Sequence, residues 1–121
     1  MTDKIEIVYY EFVKSLPNHP EMLLIDVREP LEIQQTGRIP TSINIPLSNV
    51  KSALGDDTTP EEFKSKYGRD KPLENTTVIF YCRSGRRSQQ AAEFAVALGY
   101  TNVKNYKGSW IDWAEHEGLP K

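Results

Sequence analysis

Two short runs of uninterrupted apolar residues constrain the fold of this chain more than any other feature. Leu23-Leu24-Ile25 and Val78-Ile79-Phe80 contain no alternating polar positions. Strands that are buried on both faces have this pattern, and such strands are typical of parallel sheets covered by helices on either side. With three further runs rich in β-branched or aromatic residues, the predicted strands are Lys4–Ile7, Leu23–Val27, Ser42–Ile45, Thr77–Tyr81 and Val103–Tyr106.

Amphipathic segments separate these strands. The predicted helices are Tyr9–Leu16, a short acidic turn after Pro30, Ser48–Leu54 with Ser48 as its N-cap, a short helix that starts at Pro60 and closes at Gly68, Ser88–Leu98 and Ser109–Glu117. The region from residue 55 to 72 is expected to have little helical continuity. Strands that alternate with helices favour an α/β fold: a three-layer domain whose mainly parallel sheet of about five strands is flanked by helices on both faces. At 121 residues the chain has room for one domain, residues 1–121.

The chain contains a single cysteine. One cysteine excludes an internal disulfide and every zinc or iron–sulfur site that needs several thiolates, so we expect no metal and no cofactor. The formal net charge of -2 argues against a nucleic-acid-binding role, because such domains are usually strongly basic. Apolar runs of only a few residues predict no membrane span. We expect a monomer in the cytoplasm, or in the mitochondrion if a transit peptide has been removed.

The surroundings of the cysteine indicate its chemistry. An apolar strand leads directly into Cys82, and a short loop with Arg83, Gly85, Arg86 and Arg87 connects it to an alanine-rich helix. Ligands of open α/β sheets bind at the carboxyl ends of the strands. A loop with glycine at this point can turn its N–H groups inward around an anion, and the helix N-terminus adds partial positive charge. Such an environment lowers a thiol pKa and predicts that Cys82 is a thiolate nucleophile for an anionic substrate.

Plainer interpretations apply to each feature alone. A single cysteine after an apolar strand is more often buried filler, and arginines in a loop are usually solvated. Their coincidence at a strand-to-helix turn with a glycine favours the reactive thiol, since a structural cysteine gains nothing from an anion-binding loop. Trp110 and Trp113 are predicted to pack in the core rather than line the site.

Three segments in order resemble the rhodanese-like sulfurtransferases. The segment Cys82–Ser88 (CRSGRRS) resembles the active loop of that family. An upstream block and a C-terminal block also match, and they comprise Asp26–Glu29, Gly37–Pro40, Ile43–Pro46 and Asn105–Trp110 with Trp113 and Gly118. The chain is most similar to single-domain proteins of the thiosulfate:glutathione sulfurtransferase type and to the insect heat-shock-locus rhodaneses. It departs from the common pattern at Arg38, where histidine is usual, and at Ser109, where a second glycine is usual.

The resemblance implies a sulfur transfer in two half-reactions. Cys82 would take the outer sulfur of a small anionic donor such as thiosulfate, and an external thiol or cyanide would then remove it. Arg83 and Arg86 would bind the donor's oxyanion, and Arg87 would bind it too or brace the loop against an acidic residue. Ser84, Gly85 and Ser88 would supply backbone N–H groups, with Ser88 as a candidate N-cap. Asp26 and Arg28 would support the site, although a purely structural ion pair is the competing interpretation.

Two other functions remain open at this point. The same residues fit a persulfide carrier or a stress-related interaction module with little free turnover. An arsenate reductase or phosphatase on the same fold is disfavoured, because the similar family members have a loop of six residues from Cys82 to Arg87. The related phosphatases have Cys-x5-Arg, and the position of that arginine is occupied here by Ser88.

Overall fold

The computed structural model describes residues 5–121 and contains one parallel sheet of five strands in the order β1-β5-β4-β2-β3. The strands are β1 (Ile5–Val8), β2 (Leu23–Asp26), β3 (Ile43–Asn44), β4 (Val78–Tyr81) and β5 (Val103–Tyr106). The helices are α1 (Tyr10–Lys14), α2 (Pro30–Thr36), α3 (Val50–Leu54), α4 (Pro60–Tyr67), α5 (Arg86–Ala97) and α6 (Ser109–Glu117), with short 3-10 turns at Leu16–Asn18 and Leu47–Asn49.

Each face of the sheet has its own apolar core. On one face, alternate residues of the strands pack against α3, α4 and α5, whose contribution includes Phe63 and Ala92. On the other face the intervening residues pack against α1 and α6, which contribute Val13 and Trp110. Every residue of β2 and β4 is buried, because both strands lie in the interior of the sheet and are covered on both sides. The predicted three-layer α/β fold with a parallel sheet is confirmed.

Several predicted boundaries need correction. Helix α5 begins at Arg86 and not at Ser88, so two of the loop arginines lie in its first turn and Ser88 is not its N-cap. Helix α3 begins at Val50, after a 3-10 turn that includes Ser48, so Ser48 is not a cap either. Strand β3 is two residues long, shorter than Ser42–Ile45. In the predicted first strand, Lys4 lies outside the described residues.

The region from residue 55 to 72, where the sequence predicts little helical continuity, contains a well-formed helix. Thr59 caps α4 by accepting a hydrogen bond from the backbone of Glu62, whose side chain in turn accepts one from the backbone of Thr59. Pro60 occupies the first turn, and Gly68 ends the helix in a left-handed conformation. The start and end predicted for this helix are therefore confirmed. Within residues 5–121, no helix combines the length and the apolar character needed to cross a membrane.

Candidate active site

The cysteine lies where β4 ends at the carboxyl edge of the sheet. Its side chain is almost fully buried, and backbone N–H groups of the following loop point at it. The Gly85 N–H lies 3.0 Å from Sγ and the Ser88 N–H lies 3.4 Å from it. The Ser88 hydroxyl oxygen is 3.5 Å from the same sulfur. The loop therefore surrounds the Cys82 sulfur with N–H groups, and Ser88 contributes its side chain as well as its N–H.

This arrangement sets the direction of the thiol pKa. Burial raises the pKa of Cys82, because removal from water disfavours the thiolate. Hydrogen bonds from the Ser88 hydroxyl and from the backbone of Ser88, Gly85 and Ser84 act in the opposite direction. Their combined effect prevails, and the pKa of Cys82 lies below its ordinary value. A lowered pKa increases the thiolate fraction at neutral pH, which is the form that acts as a nucleophile.

Only glycine fits at position 85. Its φ of +98° lies in the left-handed region that L side chains rarely adopt. A Cβ added there would also lie 2.4 Å from the backbone oxygen of Lys107, a distance at which the two loops would have to separate. Gly85 therefore allows the loop both to curl around the sulfur and to pack against the loop after β5.

The three arginines of the loop differ in their surroundings. Arg87 forms a two-pronged ion pair with Glu32 of α2, with contacts of 2.7 and 3.0 Å. The Arg87 guanidinium lowers the pKa of Glu32 to about 2. Arg83 and Arg86 are exposed, and neither has an aspartate or glutamate oxygen within 4 Å among residues 5–121. Arg83 Nε donates to the Lys121 carbonyl oxygen at 3.3 Å. Arg87 therefore braces the loop, whereas the exposed guanidinium groups of Arg83 and Arg86 can be reached by an anion from solvent.

Asp26 and Arg28 form a buried ion pair at the same edge of the sheet. Arg28 Nη2 lies 2.8 Å from Asp26 Oδ2, and each side chain is only 1% exposed. The remaining guanidinium nitrogen bonds go to the Thr36 hydroxyl and the Gly37 carbonyl, both at 2.9 Å. The guanidinium also lies over the Trp110 ring, 4.8 Å from its centroid. All three guanidinium nitrogens donate to protein partners, with Nε also bonded to the Asp26 carboxylate at 3.1 Å, which favours the structural ion pair over a direct role at the sulfur.

Ser109 contacts Cys82, although the sequence analysis identified it only as a departure from the family pattern and gave it no role in the site. Its hydroxyl accepts a hydrogen bond from the Cys82 N–H at 3.1 Å and donates one to the Tyr106 carbonyl at 2.8 Å. The hydroxyl oxygen is 3.9 Å from Sγ. Two further N–H groups of α6, those of Trp110 and Ile111, donate to the carbonyls of Cys82 and Arg83. The first turn of α6 therefore holds the backbone of the cysteine in place.

The sequence did carry one signal for this role. Ser109 occupies a position where glycine is common in the resembling family, and its φ of +59° is uncommon for a residue with a side chain. Elsewhere, no group of three or more His, Cys, Asp or Glu side chains is arranged to hold a metal ion in the part of the chain that the structure describes.

Comparisons with known proteins agree with this fold. The model of the rhodanese-like domain family matches residues 10–116. The rhodanese domain-containing protein CG4456 of Drosophila melanogaster is 54% identical over 110 residues, which cover 91% of this chain and 97% of that protein. Human thiosulfate:glutathione sulfurtransferase is 41% identical over 106 residues, which cover 87% of this chain and 90% of that one. The solved structure of the human single-domain sulfurtransferase TSTD1 has a TM-score of 0.81 and 35% identity over 90% of this chain and 95% of its own.

The fold and site together define the class of protein: an α/β domain with a five-stranded parallel sheet, in which N–H groups surround a cysteine that follows the middle strand. With more than two-thirds of the sequence matched by the family model and by these relatives, the chain belongs to the rhodanese-like domain family.

Proposed function

We propose that this protein is a sulfurtransferase that works through a Cys82 persulfide. In the first half-reaction the Cys82 thiolate attacks the outer sulfur of thiosulfate or a similar donor. A new sulfur–sulfur bond forms to Cys82, the donor's sulfur–sulfur bond breaks, and sulfite leaves with the bonding electrons. In the second, an acceptor thiolate or cyanide attacks the outer sulfur of the persulfide and Cys82 leaves as a thiolate.

The observation that carries this proposal is the set of N–H groups around Sγ. The Gly85 and Ser88 N–H groups stabilise a negative charge on Cys82 before the attack. The same charge returns to Cys82 when the acceptor takes the sulfur, so one set of donors serves both half-reactions. The names of the relatives, human thiosulfate:glutathione sulfurtransferase among them, support the same class of reaction.

The remaining loop residues have distinct roles in this proposal. Arg83 and Arg86, which have no acidic partner among the described residues, bind the oxyanion end of the donor. A backbone hydrogen bond from Ser84 stabilises the thiolate. Arg87 holds the loop to α2 through Glu32, and the Asp26–Arg28 pair fixes the end of the neighbouring strand.

The acceptor must come from outside the chain. The sequence contains one cysteine, so no second thiol of the same molecule can discharge the persulfide as a disulfide. Glutathione, a protein thiol or cyanide would each complete the cycle. The compartment is proposed to be the cytoplasm, with the mitochondrion as the alternative, and the active form is proposed to be a monomer.

An intact-mass measurement tests the proposal. The protein is incubated with excess thiosulfate, desalted and weighed, and the expected result is a gain of one sulfur atom that cyanide removes. Cys82→Ser is the matched control and should gain nothing. Wild-type protein that gains no sulfur would overturn the proposal. Protein that gains sulfur but turns over only beside a specific partner would instead identify a persulfide carrier.

A further inference from the structure

Arg83, the residue after Cys82, is held by α6 and by the segment that follows that helix. In the first turn of α6, the Ile111 N–H donates to the Arg83 carbonyl at 3.1 Å. The Arg83 Nε donates to the Lys121 carbonyl at 3.3 Å. Within residues 5–121, neither Nη nitrogen of Arg83 has a hydrogen-bond partner. One edge of the guanidinium is therefore held by the protein, while its two outer nitrogens remain available to a ligand.

The segment 119–121 is itself anchored to α6 before it reaches Arg83. The Leu119 N–H donates to the carbonyl of Ala114 at 2.9 Å. The indole N–H of Trp110 then donates to the Pro120 carbonyl at 2.8 Å. The carbonyl that accepts from the arginine therefore belongs to a segment with two attachments to the helix, one from the backbone and one from a side chain.

Trp110 fixes this segment relative to the cysteine. Its side chain is fully buried, and its ring lies against the Arg28 guanidinium, 4.8 Å from the ring centroid. Its backbone N–H donates to the Cys82 carbonyl at 2.9 Å. A large side chain packed on all sides has little freedom to change rotamer. One residue therefore ties both the backbone of the nucleophile and the Pro120 carbonyl to the same point of the fold.

Arg86, the other exposed arginine of the loop, has no such support. Its side chain forms no hydrogen bond or ion pair with any group in the described part of the chain. An arginine that is free in solvent loses conformational freedom when it binds an oxyanion, and that loss weakens binding. Arg83 has lost part of this freedom before a donor arrives, so it is the better organised of the two.

We propose that Trp110 is a positioning residue for the sulfur donor: through the segment 119–121 it holds Arg83 so that its two Nη nitrogens meet the donor's oxyanion. This proposal rests on the persulfide reaction and on the oxyanion-binding role of Arg83 proposed above. Trp110 acts through the Pro120 and Lys121 carbonyls and does not touch the donor. Its contribution is therefore to donor binding and not to the transfer of sulfur.

The test separates binding from transfer in the first half-reaction. Sulfur uptake is followed by rapid quench and intact mass at increasing thiosulfate, which gives a half-saturating concentration and a limiting rate. Trp110→Phe keeps an aromatic ring but removes the N–H that holds Pro120. It should raise the half-saturating concentration about threefold and leave the limiting rate within about 1.5-fold of wild type. Trp113→Phe is the matched control on the same helix, because the Trp113 indole has no hydrogen-bond partner among residues 5–121, and it should change neither number.

A second variant decides the question if Trp110→Phe folds poorly. Deletion of Pro120 and Lys121 removes both carbonyls without disturbing the core, and should raise the half-saturating concentration by a similar factor. Lys66→Gln controls for the loss of one exposed positive charge and should have no effect. In an Arg83→Ala background the deletion should cause no further rise, because the two changes act through the same guanidinium.

The outcomes distinguish the positioning role from the proposed function. Wild-type protein that takes up sulfur, with an unchanged half-saturating concentration in the deletion or in folded Trp110→Phe, would overturn the positioning role alone. A lower half-saturating concentration would show that the segment holds Arg83 away from the donor, and would also overturn it. An equal rise in Trp113→Phe or Lys66→Gln, or a further rise in the Arg83→Ala background, would do the same. If wild-type protein takes up no sulfur, the proposed function fails and the positioning role fails with it.

Discussion

Asp26 and Cys82 are neighbours at the carboxyl edge of the sheet, and their buried charges are stabilised in different ways. Asp26 ends β2 directly beside Tyr81 of β4, and Cys82 follows one residue later. The Asp26 carboxylate is neutralised by a guanidinium whose three nitrogens all donate to groups within the protein. The Cys82 sulfur faces N–H groups and a hydroxyl instead, and no cation lies in contact with it in the described contacts. A charge that a salt bridge has neutralised is structural, whereas a charge held by neutral dipoles remains available to react.

Arg28→Ala should have the largest effect, and it should be an effect on stability. The substitution leaves the Asp26 carboxylate buried without a cation, with only the backbone N–H of residue 28 still donating to it. We expect a loss of about 3–5 kcal/mol in the free energy of unfolding. Urea denaturation measures this loss. The double variant Asp26→Ala/Arg28→Ala should lose less than the sum of the single variants, because it leaves no unpaired charge. A stable Arg28→Ala protein with a changed thiol titration would contradict the structural role of the pair.

Gly85→Ala should slow the reaction of the Cys82 thiol with its donor and also lower the stability of the protein. A methyl group at φ +98°, 2.4 Å from the Lys107 oxygen, forces the loop to move and withdraws the N–H that lies closest to Sγ. We expect a loss of about 1–3 kcal/mol in unfolding free energy and at least a tenfold slower uptake of sulfur. Stopped-flow mixing with thiosulfate measures the uptake.

A second glycine in the left-handed region provides the control for Gly85. Gly68 has a φ of +77° at the end of α4, and a Cβ there would meet no atom within 4 Å. Gly68→Ala should therefore lower stability through backbone strain alone and leave the rate of sulfur uptake unchanged. If both alanine variants slow uptake equally, the effect of Gly85→Ala is a loss of stability and not a change in the thiol site.

The general architecture was readable from the sequence because it depends on local patterns. Uninterrupted apolar runs predicted the two buried strands, and the glycine and arginines after Cys82 predicted the loop that holds the sulfur. The sequence does not indicate which distant residues these side chains contact. Glu32 lies 55 positions from Arg87, and only the folded chain brings the two together. Helix α5 begins two residues earlier than predicted. The N–H of Ser88 in its first turn donates to the Cys82 thiol, and no capping side chain in the sequence indicates this contact.

Substitutions of Ser109 test how strongly the first turn of α6 stabilises the backbone of Cys82. Ser109→Ala removes the acceptor of the buried Cys82 N–H and keeps the left-handed strain, and we expect a loss of about 1–3 kcal/mol in unfolding free energy. Ser109→Gly also removes the acceptor but relieves the strain, so it should be more stable than Ser109→Ala by about 1 kcal/mol. Both should slow sulfur uptake by a similar factor. If only the alanine variant is slow, loss of the hydrogen bond slows the reaction only where the backbone is strained, because wild-type Ser109 is strained but keeps the bond and Ser109→Gly lacks the bond but is not strained.

The smallest expected effect is on the thiol pKa, and it distinguishes the contribution of hydrogen bonds to the sulfur from the contribution of nearby charge. The pKa of Cys82 is lowered by the Ser88 hydroxyl and by backbone N–H groups, while Arg86 lies outside these contacts and is exposed to solvent. We therefore expect Ser88→Ala to raise the apparent thiol pKa more than Arg86→Ala does, as measured by the pH dependence of alkylation. The Arg86→Ala variant should instead weaken donor binding, because it removes the guanidinium that we propose binds the oxyanion of the donor. A larger pKa change in Arg86→Ala would mean that long-range charge, and not the loop dipoles, holds the thiolate, and the contrast with the Asp26–Arg28 pair would then disappear.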